Sequence, residues 1–132
     1  MKFFFDNQLS PHLAAAINAL AKADGHSALH LREKFPPNTP DIDWIRALSQ
    51  EGDWILICGD LDITRTKAER SVWKNAGLVG FFLKHGWMQQ KPWDQAWRLV
   101  KWWPSIVTQA RIAAPGSTYL VQVNPTGKFE TL

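Results

Sequence analysis

Five aspartates in the first half of the chain could act together on a phosphate. Asp6 ends the apolar run Phe3-Phe4-Phe5, Asp41 and Asp43 follow a proline-rich stretch, and Asp60 and Asp62 follow the apolar run Trp54 to Cys58. Carboxylates gathered closely raise each other's pKa and usually need a cation to stay ionised. Hard oxygen donors select magnesium or manganese. One or two such ions bind a bridging phosphate, lower the pKa of water to make a nucleophile and stabilise a leaving oxygen. Hydrolysis of an RNA or DNA phosphodiester is the reaction class these residues imply. Such a site also needs cations for the substrate's phosphates, and Arg65, Lys67 and Arg70 follow Asp62 at once. Thr64 could donate a hydrogen bond there, or serve as N-cap of the helix beginning at Lys67.

The elements around these residues decide whether they meet. Phe3 to Phe5 reads as a strand, and Ser10 with Pro11 starts a helix carrying Leu13, Ile17 and Leu20 at helical spacing. Gly25 stops that helix before an extended stretch, His26 to Leu31. Lys34 to Pro40 holds three prolines and is loop; Thr39 as N-cap and Pro40 then start a helix to Gly52, with Asp41 and Asp43 in its first turn. Trp54 to Cys58 reads as a fully buried strand whose carboxyl end delivers Asp60 and Asp62. A third helix, roughly Lys67 to Ala76, presents Ala68, Val72 and Ala76 on one face and leads into a strand, Leu78 to Leu83. Strand then helix, four times over, implies an α/β fold of three layers, with a mostly parallel sheet between helices. In such a sheet Asp6 and Asp60 share the carboxyl edge, where ligands bind.

From Pro92 a long helix runs toward Ala113. Trp93, Trp97, Val100 and Pro104 form one stripe, Leu99, Trp102, Trp103 and Ile106 lie around the side, and Pro104 is expected to kink or divide the helix. Thr118 to Val123 and Lys128 to Leu132 form a strand pair about the turn Asn124-Pro125-Thr126-Gly127. At 132 residues and 45% hydrophobic content the chain is expected to be one domain. Residues 1–87 form its acidic α/β part, and residues 88–132 add the tryptophan-rich helix and the C-terminal strands.

Plainer explanations compete residue by residue. Asp41 and Asp43 suit a helix N-terminus through the macrodipole alone. Asp6 could cap the turn through Asn7 and Ser10, and Gly59 to Asp62 could be a simple turn. Most of the eight tryptophans lie between Trp73 and Trp103. With Lys91, Arg98 and Lys101 between them they could stack RNA bases, but filling a core or a protein interface explains them better.

Two patterns nevertheless point to a family. Phe5-Asp6-Asn7-Gln8-Leu9-Ser10-Pro11 and Ile57-Cys58-Gly59-Asp60-Leu61-Asp62-Ile63, with Thr39-Pro40-Asp41-Ile42-Asp43-Trp44-Ile45 between them, resemble the PIN-like domains of VapC-type toxins across residues 1 to about 87. The resemblance implies a single-domain PIN-like fold and a magnesium- or manganese-dependent endoribonuclease. It implies a toxin neutralised by a cognate antitoxin, with RNA as substrate. Asp6, Asp60 and Asp62 carry over directly as catalytic metal ligands; the second acidic position is Asp41 or Asp43, with Asp41 favoured by its place before Trp44-Ile45. By the same resemblance Asn7-Gln8 stands where another acid is expected, which implies one metal ligand or one metal site fewer. Antitoxin docking or homodimerisation would use the tryptophan-rich surface.

The remaining composition sets limits. The lone Cys58 excludes an internal disulfide and a multi-thiolate zinc site, and is expected only to pack. His12, His26, His30 and His85 show no zinc-ligand spacing, and none is proposed as catalytic. A net charge of +3 would favour approach to a polyanion without specifying one. No signal peptide or membrane span is evident, so a cytoplasmic location is expected. Two other functions fit the acids: a phospho-receiver domain with Asp60 as acceptor, which expects an acidic pair after the first strand and a lysine after the last parallel one, or an inactive PIN-like interaction module.

Overall fold

The computed structural model describes residues 1–59 and 67–132, apart from the side chains of Lys67 and Ala68. Strands β1 (Lys2–Phe5), β2 (Ser27–His30), β3 (Trp54–Cys58), β4 (Val79–Leu83), β5 (Thr118–Val121) and β6 (Glu130–Thr131) form one six-stranded sheet in the order β2-β1-β3-β4-β5-β6. Every neighbouring pair is parallel except β5 and β6, which are antiparallel. Helices α1 (Pro11–Ala21), α2 (Asp41–Glu51), α3 (Lys67–Ala76) and α4 (Pro92–Ile112) alternate with the parallel strands. The segment beyond residue 87 adds its strands to the sheet built by the first part, with Gly80 opposite Thr118.

Alternation along the strands sorts the core into two layers. Phe3, Phe5, Ile55, Ile57, Phe81 and Leu83 face α1 and α4, whereas Phe4, Leu56, Cys58 and Phe82 face α2 and α3. The three phenylalanines of β1 are fully buried, with Phe3 4.6 Å from the ring of Trp103 and Phe4 5.3 Å from that of Trp44. Burying each contributes about 1.5–3 kcal/mol, which fixes β1 as a central strand. All five residues of β3 are buried, as the continuous apolar run requires of a strand covered on both faces. Among the described residues no helix is long and apolar enough to cross a membrane.

Among the described residues α1 keeps its expected ends, while the start of α2 and the course of α4 differ from expectation. Ser10 accepts a hydrogen bond from the backbone N–H of His12 and Pro11 opens α1, while Gly25, at φ 77°, ends the 3₁₀ turn that extends it. Thr39, by contrast, does not cap α2. Its hydroxyl donates to the Pro36 carbonyl at 2.7 Å, so the helix starts one residue later, at Asp41, with Pro40 at the cap position and no side chain on its N–H groups. Pro104 does not divide α4 either, which runs as one helix from Pro92 to Ile112. Trp102, Trp103 and Ile106 hold the inward face in the core while Pro104 itself is exposed. Among the described side chains of α3 the buried one is Trp73, flanked by the partly buried Val72 and Ala76, while that of Ala68 lies outside them. Gly80 makes room for it, because a Cβ there would fall 2.5 Å from the indole.

Candidate active site

The register makes the carboxyl ends of β2, β1 and β3 flush, since Phe5 lies opposite both His30 and Ile57. The chain crosses from β1 to β2 on one side and to β3 on the other, so the edge beyond β1 and β3 is the topological switch point. Asp6 sits there, only 3% exposed. Its backbone N–H donates to the Ile57 carbonyl at 3.2 Å, extending the ladder one step past β1. Its Oδ1 accepts from the N–H of Gln8 at 3.2 Å and from that of Gly59 at 3.1 Å. Charge-assisted bonds from two backbone donors offset the desolvation of a buried carboxylate. The short Asp side chain thus closes its own turn and binds the end of β3.

Gly59 is needed for that approach. A Cβ on it would lie 3.0 Å from Cβ of Gln8, and 3.2 Å from both Cδ2 of Leu9 and Sδ of Met88. Met88 belongs to the 3₁₀ turn that follows β4, so three strand ends converge around one glycine.

His30, fully buried at the end of β2, is the second polar group of this edge. Nδ1 accepts from the Arg32 N–H at 3.1 Å, which assigns the ring proton to Nε2, donated to the Leu9 carbonyl at 2.7 Å. Burial pushes its pKa below the usual 6.5, with the Arg32 charge acting the same way and the Leu9 carbonyl opposing. The neutral imidazole ties the loop carrying Asp6 to the end of β2. Beyond it, the Arg32 Nε–H donates to Oδ1 of Asn7 at 2.9 Å, and Nδ2 of Asn7 donates to the Pro37 carbonyl at 3.3 Å.

Asp41 and Asp43 open α2, exposed, on the edge where that helix must start in order to return the chain to β3. Oδ1 of Asp41 accepts from the Trp44 indole N–H at 3.0 Å, and Trp44 is itself buried against Phe4. Among the described residues no three His, Cys, Asp or Glu side chains gather as a metal site, so Asp6, Asp41 and Asp43 do not make one by themselves. Asp60, Asp62, Thr64 and Arg65 lie outside the described residues, as does the Lys67 side chain. Arg70 is exposed on α3, lining a pocket with Trp73, Lys74, Gly116, Thr118 and Leu132.

Sequence reasoning passed over His30, Arg32 and Asn7 as a connected group. The one signal available was positional: His30 ends β2 as Asp6 ends β1. Cys58 is buried and packs in the core, as expected. A phospho-receiver shares this strand order, but it expects a lysine after the last parallel strand, where Gln122-Val123-Asn124 follows β5; Lys84, after β4, pairs with Glu130 at 2.8 Å.

Comparison with known proteins agrees with this geometry on one point. A family model described as a PIN-like domain matches residues 1–85, the part containing the first four strands and three helices. Neither a curated protein nor a solved structure matches the chain.

Proposed function

The chain belongs to the PIN-like domain family, and from that premise we propose that it is a metal-dependent endoribonuclease of the VapC type, the toxin of a toxin–antitoxin pair. Nuclease activity is common in this family, which supports a hydrolase. The observation that carries the reading is Asp6: a carboxylate buried at the switch point and held by backbone donors from two strand ends. A side chain so costly to bury suits a fixed ligand better than a surface charge.

In this reading Asp6, Asp60 and Asp62, with Asp41 or Asp43, hold magnesium or manganese, whose hard character matches a set of carboxylate oxygens. The bound ion would offset their mutual repulsion, polarise the scissile phosphate and make water acidic enough to serve as nucleophile. The protein's own part is positional. Gly59 and Gln8 fix Oδ1 of Asp6, Trp44 orients Asp41, and Thr64, Arg65, Lys67 and Arg70 are the candidates for holding substrate phosphates. The exposed stripe of α4 supports a protein partner, antitoxin or second copy: Trp93 is 87% and Trp97 49% exposed, with the Arg98 guanidinium 4.6 Å from the Trp97 ring.

Labelled single-stranded RNA incubated with increasing magnesium or manganese tests this. Cleavage should require the metal, stop with EDTA, and fall on the order of 100-fold or more in Asp6→Asn, as expected when several kcal/mol of transition-state stabilisation are lost. A wild-type protein that cleaves no RNA with either metal would instead be an inactive interaction module.

A further inference from the structure

We propose that Arg32 is a phosphate-binding residue for single-stranded nucleic acid at the carboxyl edge, and that Asn7 is its positioning residue. The inference rests on the ribonuclease reading for the identity of the ligand and on separate atoms for its geometry.

Arg32 is exposed, yet two contacts restrain it. Its backbone N–H is bound to the fully buried His30 ring at 3.1 Å, and its Nε–H is bound to Oδ1 of Asn7 at 2.9 Å. Asn7 is held from its other end by the Pro37 carbonyl, which fixes which amide atom faces the arginine. The loop supplying that carbonyl is closed on itself, with Thr39 donating to the Pro36 carbonyl from both its backbone N–H, at 3.0 Å, and its hydroxyl, at 2.7 Å. An arginine steadied in this way has lost much of the side-chain freedom that binding would otherwise cost.

The partner's chemistry determines what remains. A guanidinium has five N–H donors, and among the described residues only the one on Nε is used. The terminal nitrogens keep the planar fork that matches two oxygens of a phosphate. Asn7 orients the group without neutralising it, whereas an acid at this position would form an ion pair and cancel the charge. Among the described residues Arg32 makes no ion pair, and Glu33 instead directs its carboxylate to the His30 backbone N–H at 2.8 Å. The residue joined to Arg32 is the direct neighbour of Asp6, so a phosphate on the fork lies along the edge where hydrolysis is proposed.

The test measures binding of a fluorescent single-stranded oligoribonucleotide to the full chain in EDTA, across a salt series, beside the cleavage assay with metal. Arg32→Ala should weaken binding about tenfold and flatten the dependence of log affinity on log salt by roughly 0.7, the value of one phosphate contact on a single strand. Arg32→Lys should keep the salt slope and lose most of the affinity, since a point charge replaces the fork. Asn7→Asp should lower both by pairing with Arg32, and Arg46→Ala, an exposed cation on α2, should change neither. Thermal melts of each variant separate loss of binding from loss of fold. Wild-type affinity and slope in Arg32→Ala, or no binding by the wild type, overturns the proposal. If the wild type binds in the expected Arg32-dependent way but cleaves nothing with metal, the nuclease reading fails and the phosphate site stands.

Discussion

The two ends of the sheet contrast sharply in what they bury. At the amino edge, where the strands begin, lies a cavity of about 550 Å³ bordered by Met1, Lys2, Ser49, Gly52, Asp53 and Trp54 among others. Its firm side-chain link is the Ser49 hydroxyl, which donates to the Ala76 carbonyl at 2.6 Å and joins α2 to the end of α3. At the carboxyl edge lie Asp6 and His30, the buried polar side chains among the described residues, each bonded to backbone from more than one element. Open volume at the amino edge follows from where three helices end. Burying polar groups at the other edge costs free energy unless every atom finds a partner, so that edge is where the sequence departs from simple packing. Burial of charge, rather than empty space, locates the chemistry.

The largest expected effect on stability comes from His30→Ala. It leaves the Leu9 carbonyl and the Arg32 N–H without their partner and opens a cavity, so urea unfolding should show a loss of about 2–4 kcal/mol. A loss under about 1 kcal/mol would mean that the imidazole does not organise the carboxyl edge.

A paired experiment sets the edges directly against each other. Gly59→Ala forces Gln8, Leu9 and Met88 to give by a few tenths of an ångström and should cost about 1–3 kcal/mol, with cleavage reduced because the Asp6 turn shifts with it. Ser49→Ala removes one hydrogen bond at the amino edge and should cost about 1 kcal/mol, with cleavage unchanged. Equal damage to cleavage from the two substitutions would erase the distinction between the edges.

The smallest effect is a pH dependence. His30 has a pKa below its usual 6.5 in the folded chain, so between the two values the unfolded chain binds more protons than the native one. Its contribution is therefore fully present above pH 6.5 and is lost as pH falls from there through the depressed folded value. The slope from this one group is at most about 1.4 kcal/mol per pH unit. Urea titrations at several pH values should show that slope in the wild type and its reduction in His30→Gln; equal slopes would mean that His30 is not held neutral.

Local pattern was enough for most of the elements. Trp54 to Cys58 between two Gly-Asp pairs is a buried strand of those bounds, Ser10-Pro11 starts α1, and Lys67 to Ala76 is the third helix. These follow from periodicity, capping and glycine stops, which act over a few residues. The same short range explains the misses. Thr39 looked like a cap because nothing local reveals that the Pro36 carbonyl would take its hydroxyl, and of the two outcomes expected at Pro104, a kink or a division, division does not occur because Trp102, Trp103 and Ile106 around it pack into the core.

The residue types that could hold a cation were readable one by one, and Asp6 after a phenylalanine run was the clearest of them. That Asp6 meets Gly59 across 53 positions, that His30 meets Leu9 across 21, and that Asn7 meets Arg32 across 25 was set by strand order and register. Those depend on which faces are buried against which helices, and a one-residue slip would turn every one of these side chains away from its partner. Composition and periodicity sufficed to write the alternating strands and helices; only the assembled sheet, with its flush carboxyl ends, could join a buried acid, a neutral histidine and a held arginine into one edge.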